Sequence, residues 1–345
     1  NLKKFIPVNQ PLLTKSDSYF VKKTIDEGWI SSEGPNVKNF EKKFSSYIGH
    51  KYAVAVSSGS GALDIAVKTL NLKKTDEIIV PNFTIISNAL SVIKLGIKIK
   101  FIDCDLYDWN MNISKIEKSI TKNTKAIIAT HIYNFPLRID KLKKICKKEK
   151  IIIIEDAAEV LGQEIFKKKC GSFGDISTFS FYANKQITTG EGGMITTNNK
   201  NFYDKMLALR NLAFGKKNRF NHDDIGWNYR MTNIQATLGI SQLSRIKNIV
   251  KIRHKVGKRY YQNLSKNKNI FMPEPEKTFS KNIYWVIGVL IVNKNLHLDA
   301  EMVMKKLKNF GIGTRSFFWP MHKQKIFKNL NIYKSKKFPN SEYIS

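Results

Sequence analysis

The pattern of this chain predicts an α/β fold: a large domain whose mostly parallel central sheet is flanked by helices, then a smaller α+β C-terminal domain. Three observations predict it. Short apolar runs alternate with helix-period segments from about residue 50 to residue 200, the rhythm of strand–helix–strand units. One run, Ile151 to Ile154, is continuously apolar, as a parallel strand covered on both faces must be. Beyond residue 200 a long helical stretch leads away from the sheet and Pro273-Glu274-Pro275 then punctuates the chain, so residues 1–249 are expected to form the large domain and 250–345 a smaller one.

Taken in order, the candidate strands are Tyr52–Val56, Glu77–Val80, Ile99–Asp103, Ala126–Thr130, Ile151–Ile154, Ile176–Phe181 and Met194–Thr197. Between the first two, Leu63, Ala66, Val67 and Leu70 recur at helical spacing, with Ser58 or Ser60 available as N-cap, so a glycine-containing turn enters a helix here. Ile139, Leu142, Ile145 and Cys146 form the apolar stripe of a helix whose lysines face solvent. Residues from Ile234 to Lys258 read as one long helical region. In the C-terminal part, Tyr284 to Ile291 reads as a strong strand and Ala300 to Phe310 as a helix stopped by Gly311.

Composition excludes several classes. With 345 residues the chain is long enough to bury a large core, and its longest apolar runs fall short of the roughly 18 residues of a membrane span. The N-terminus lacks a basic-then-apolar signal, so a soluble, cytoplasmic protein is expected. Cys104, Cys146 and Cys170 are odd in number and widely spaced, which fits neither a disulfide framework nor a cysteine metal site, and no metal is expected. The net charge of +31, from 59 basic and 28 acidic residues, attracts anionic metabolites and polyanions. No recognition motif converts that field into nucleic-acid readout, and a basic polyanion-binding protein stays as the non-enzymatic alternative.

The chemistry concentrates around Lys185. Lysine becomes nucleophilic when desolvated or crowded by positive charge, and its amine then forms a Schiff base with an aldehyde. A strand-end carboxylate such as Asp156 could keep a pyridine nitrogen protonated, the turn at Gly59-Ser60 offers backbone donors to a phosphate, and Ser180 adds a hydroxyl. Together these suggest pyridoxal phosphate. Each has a plainer explanation: most loop lysines decorate the surface, strand-end aspartates cap helices, and glycine pairs mark ordinary turns. Their order and spacing favour the cofactor.

Gly28-Trp29-Ile30-Ser31-Ser32-Glu33-Gly34, Ser57 to Leu63, Asp76 to Asn88, Glu155 to Gly162, Gly171 to Gly193, Gly226 to Asn233, Gly311 to Arg315 and Pro320-Met321-His322 occur in an order that spans nearly the whole chain. In these segments the chain resembles the DegT/DnrJ/EryC1/StrS sugar-nucleotide aminotransferases, enzymes of fold type I. The resemblance implies that pyridoxal 5′-phosphate, with pyridoxamine phosphate as its aminated form, is bonded to Lys185, that Asp156 pairs with the ring nitrogen and that Glu159 lies near the ring hydroxyl. It implies that Gly59, Ser60 and Ser180 hold the phosphate. It further implies a homodimer with shared active sites, inactive as a monomer, in which Asn228 reaches the partner subunit's phosphate. Trp29, Ser31, Arg230, Arg315 and His322 match segments lining the sugar-nucleotide cleft.

The activity implied is amination at C4 of a GDP-linked 4-keto-6-deoxymannose, with glutamate as donor; the alternative is the same reaction on a dTDP-linked glucose skeleton. A dehydratase reading is opposed by Lys185, which relatives of that activity replace by histidine. Two departures stand out. Ile85 occupies the position of the usual stacking aromatic, and Tyr133-Asn134-Phe135-Pro136 stands where relatives carry Tyr-Gly-His-Pro. Compared with those relatives, further residues are also expected beyond Ser345.

Overall fold

A computed structural model describes residues 5–133, 135–215, 220–292, 299–332 and 337–345; Asn134, singled out above, lies outside them. Seven strands form the central sheet: β1 (Tyr52–Val56), β2 (Glu77–Pro81), β3 (Lys98–Ile102), β4 (Thr124–Thr130), β5 (Ile152–Asp156), β6 (Ile176–Ser180) and β7 (Gly193–Thr197). Their order is β1-β7-β6-β5-β4-β2-β3, and β7 alone among them runs against the rest. All seven candidate strands are present, each within one or two residues of its expected ends.

Both faces of the sheet are covered, as the continuous apolar runs require. Alternate residues of β4 serve different cores: Ile127 and Ala129 join one, Ala126 and Ile128 the other. On the first face lie helix α1 (Pro35–Ile48), through Phe40 and Phe44, and helix α3 (Ile139–Glu149), through Ile139, Leu142 and Cys146. Phe44 sits edge-on to Phe179 and Phe181 at 4.8 and 5.3 Å, and burial of each such ring stabilises by roughly 1.5–3 kcal/mol. On the second face lies helix α2 (Gly59–Thr69), through Leu63, Ala66 and Val67; Ser58 is its N-cap, accepting the Gly61 N–H.

Two expectations change. The region from Ile234 to Lys258 is broken at Arg245 into α4 (Asn233–Ser244) and α5 (Ile246–Leu264). The strand expected from Tyr284 to Ile291 is reduced to Leu290–Ile291, which pairs with Ile270–Phe271. The reason is tertiary. Tyr284 takes a positive φ of 50°, and Trp285 turns into a third core with Phe83, Trp109, Ile132 and Tyr133, so the aromatic run follows packing demands instead of pleating. The expected C-terminal helix is present as Ala300–Asn309, stopped at Gly311, whose φ is +76°. Among the described residues no helix is long and apolar enough to cross a membrane, and no group of three His, Cys, Asp or Glu side chains is arranged to hold a metal.

Candidate active site

Parallel strands deliver their C-terminal ends to one edge of the sheet, the usual place for a ligand in open α/β folds. Three of the expected residues arrive there at the ends of strands or just beyond them. Asp156 ends β5 opposite Thr130 of β4 and Thr178 of β6, Ser180 ends β6, and Gly59 opens α2 just after β1. Gly59 is needed for its size: a Cβ there would lie 2.8 Å from Ser180 Cβ and 3.2 Å from its Oγ. With Gly61 N–H taken by Ser58 Oγ and Ala62 N–H by Ser58 O, the N–H groups of Gly59 and Ser60 are left for an anion beside Ser180. Ser60 Oγ is hydrogen-bonded to Ser87 Oγ at 2.8 Å.

Lys185 is half-buried on the turn that follows β6, and it faces two buried carboxylates, Asp156 and Glu159. Desolvation lowers the lysine's pKa, and those carboxylates work against the shift. Desolvation likewise raises Glu159 to about 7, although Lys185 and the Tyr133 N–H, 2.6 Å from Oε2, pull it down. Asp156 is raised by desolvation as well, against the Ala158 N–H at 3.1 Å and the charge of Lys185.

These shifts have one meaning. Two buried carboxylates share one half-buried ammonium, so the site lacks positive charge, and buried polar atoms beside it, Asn88 Oδ1 and Thr178 Oγ1, have no partner. A ligand carrying a protonated ring nitrogen, an aldehyde and a phosphate supplies the missing cation to Asp156, an electrophile to Lys185 and an anion to the α2 terminus. The residues present therefore fit pyridoxal phosphate.

Other expected residues are distributed differently. Ile85 is 41% exposed, whereas neighbouring Phe83 is buried among Tyr133, Phe317 and Phe318, so Ile85 is free to lie against a ring. Trp29 and Arg230 do not meet Lys185. They line a separate hollow of about 1030 Å³, together with Glu41, Tyr203 and Arg210. Arg230 donates to Asn211 Oδ1 at 2.6 Å, Asn228 is exposed beside it, and exposed Ser31 accepts from Asn233 through its carbonyl. Arg315 is exposed and donates to the Thr314 carbonyl. His322 is held by its own chain, with Nδ1 against the Asn82 side chain and Nε2 3.0 Å from Glu342 Oε1.

Sequence reasoning missed two residues at the site, Trp285 and Tyr133, and two that support it from behind, His131 and Glu155. Trp285, read as a strand residue, lies with its ring face 3.7 Å from Lys185 Nζ. Tyr133 stacks on Trp285 and holds Glu159 through its N–H. His131 accepts the Leu137 N–H on Nδ1, so its proton is on Nε2 and donates to Glu155 Oε1 at 3.0 Å. Glu155 itself collects the N–H groups of Gly171, Phe173 and Gly174.

Comparison with known proteins gives the family and the fold. Residues 11–345 match the model of the DegT/DnrJ/EryC1/StrS aminotransferase family. The chain is 36% identical over 324 residues to GDP-perosamine synthase of Escherichia coli O157:H7, covering 94% of this chain and 87% of that one. It is 37% identical over 317 residues to GDP-perosamine synthase of Caulobacter vibrioides, with 92% and 85% covered. Among solved structures, Helicobacter pylori PseC, an aminotransferase involved in the biosynthesis of pseudoaminic acid, superposes with a TM-score of 0.92 at 25% identity, over 99% of this chain and 91% of that one. The fold is fold type I, and the chain belongs to the DegT/DnrJ/EryC1/StrS aminotransferase family.

Proposed function

We propose that this protein is a pyridoxal-phosphate-dependent sugar-nucleotide aminotransferase that moves an amino group from glutamate to C4 of GDP-4-keto-6-deoxymannose, giving GDP-perosamine. The observation that carries the reading is the meeting of Lys185 with buried Asp156 and Glu159 at the strand ends, in a chain over one third identical to two GDP-perosamine synthases. When bound, the cofactor supplies an aldehyde that accepts an amino group and a ring that draws electrons from the reacting carbon.

The chain's own residues do the rest. Asp156, buried and short of a cation, keeps the ring nitrogen protonated by an ion-paired hydrogen bond. Glu159, poised near neutrality, hydrogen-bonds the ring hydroxyl. Gly59, Ser60 and Ser180 bind the phosphate, and Ile85 packs on the ring in place of an aromatic. Lys185 attaches the cofactor, and once released its neutral amine takes up and returns the substrate proton.

The reading includes a homodimer. Phe5, Ile6, Leu13, Tyr19, Ile25 and Ile30, all more than half exposed, form an N-terminal apolar surface that a single chain leaves in water. Asn228 and Arg230, away from this chain's Lys185, reach the partner's site, with Trp29 and Ser31 beside them; Arg315 and His322 belong to the sugar-nucleotide cleft. Two units, 1–249 and 250–345, and a cytoplasmic location are part of the same reading, the latter supported by three free, buried cysteines. Sedimentation should find a dimer at assay concentration; a fully active monomer would remove the shared site.

A substrate panel tests the reaction. With glutamate, GDP-4-keto-6-deoxymannose should yield 2-oxoglutarate, with dTDP-4-keto-6-deoxyglucose turned over at least about tenfold less efficiently, the discrimination expected when a site built around one nucleotide and sugar meets another. Preference for the dTDP sugar would transfer the assignment to viosamine formation. Activity on neither sugar, with steeply salt-dependent nucleic-acid binding, would favour the polyanion-binding alternative.

A further inference from the structure

The buried Trp285 has no part in the function described above, yet it touches the most reactive atom of the chain. Lys185 Nζ stands 3.7 Å from the centroid of its ring, inside the roughly 6 Å over which a ring quadrupole attracts a cation. The ring is fixed from several sides. Its indole N–H donates to the Asn184 carbonyl at 3.0 Å, one residue before the lysine, and Asn9 Nδ2 donates to the same carbonyl at 2.7 Å and to the Trp285 carbonyl at 3.2 Å. Arg253 in turn holds Asn9 at 2.7 Å. Tyr133 lies parallel to the indole within 10°, centroids 6.2 Å apart, and its hydroxyl accepts the Phe318 N–H.

We propose that Trp285 is a catalytic residue whose ring face receives the charge of Lys185 when that nitrogen, free of the cofactor, carries a proton. The proposal rests on the aminotransferase reading for its significance but not for its geometry. A free lysine that serves as base must gain a proton, and its new charge must be met where the site excludes water. Asp156 and Glu159 supply negative charge from β5 and the turn after it. In the loaded enzyme Asp156 is engaged by the ring nitrogen and Glu159 by the ring hydroxyl, which leaves the indole face as the fixed partner still open to Nζ. The ring also sets position, because indole and lysine backbone are joined through Asn184. Tyr133 stays neutral, its pKa raised by burial, and adds no competing charge.

The test is a titration of Lys185 in the cofactor-free enzyme, read as the pH dependence of its acetylation by mass spectrometry. Variants are Trp285→Phe and Trp285→Leu, alongside wild type grown on fluorinated tryptophans, which weaken the quadrupole without changing the ring's shape. The apparent pKa should fall from Trp to Phe to Leu, by about one unit in all, and stepwise with fluorination; that is the size of a desolvated cation–π contact. Trp285→Phe should abolish the fluorine effect, which excludes Trp29, Trp109, Trp227 and Trp319 as its source. A Lys185 pKa indifferent to fluorination overturns the proposal, and this outcome can be read even if Trp285→Leu fails to fold. Failure of the aminotransferase reading shows differently, as a protein that never takes up pyridoxal phosphate, and leaves the titration intact.

Discussion

Lys185→Ala will lower amino transfer by at least about 10³-fold, because the change removes both the attachment point and the proton carrier. Borohydride reduction of the cofactor-loaded wild type should fix the cofactor's mass on the peptide containing residue 185, and no such mass should appear in the variant. Lys185→Arg is the sharper control. It keeps the positive charge that Asp156 and Glu159 face, but a guanidinium with a pKa above about 12 offers no free lone pair, so it should fold well and remain inactive. Cofactor trapped by borohydride on another lysine in Lys185→Ala, with activity retained, would remove residue 185 from the mechanism.

Much of this site was legible because its members stand at places where sequence pattern is strong. Asp156 follows an isoleucine run, Gly59 and Ser60 open an amphipathic helix, and Lys185 lies on the turn after a strand; parallel pairing then brings these ends together without long-range information. Trp285 and Tyr133 were not legible. Both owe their places to the third core, where Phe83, Trp109, Phe317 and Phe318 converge from segments far apart in the chain, and neither lies on a regular element. The run from Tyr284 to Ile291 has the β-branched and aromatic composition of a strand, and the packing of Trp285 overrides it. Trp29 and Arg230 were placed in the cleft by resemblance, and within one chain they line a hollow to which Lys185 does not contribute.

Glu155 shows what the same pattern could have revealed. Adjacent strand residues point to opposite faces, so the pair Glu155-Asp156 cannot serve one site: with Asp156 beside Lys185, Glu155 must turn to the other side. There it is fully buried and accepts the N–H groups of Gly171 at 2.5 Å, Phe173 at 2.8 Å and Gly174 at 2.8 Å, the Ser177 hydroxyl at 3.3 Å and the His131 ring at 3.0 Å. These bonds fix the loop that leads into β6, and hence the path to Ser180 and Lys185. Glu155→Ala strands the three loop N–H groups in the interior at about 1–3 kcal/mol each, and should lower the melting temperature by about 10 °C or prevent soluble accumulation. Glu155→Gln keeps one acceptor oxygen but sets an NH₂ against donors, so it should fall between.

The pH dependence has the sign expected of a stabilised carboxylate. Burial raises the Glu155 pKa, but the His131 ring and the Gly171 and Gly174 N–H groups outweigh it, and the folded-state value lies below the ordinary one. The stabilisation is therefore complete above about pH 4.3, the unfolded value, and is lost as pH falls through the lower folded-state pKa. Wild type should accordingly lose more stability between neutrality and acid than Glu155→Gln does. Equal acid sensitivity in the two, or Glu155→Ala melting within about 2 °C of wild type, would mean that the loop before β6 is held by something other than this carboxylate.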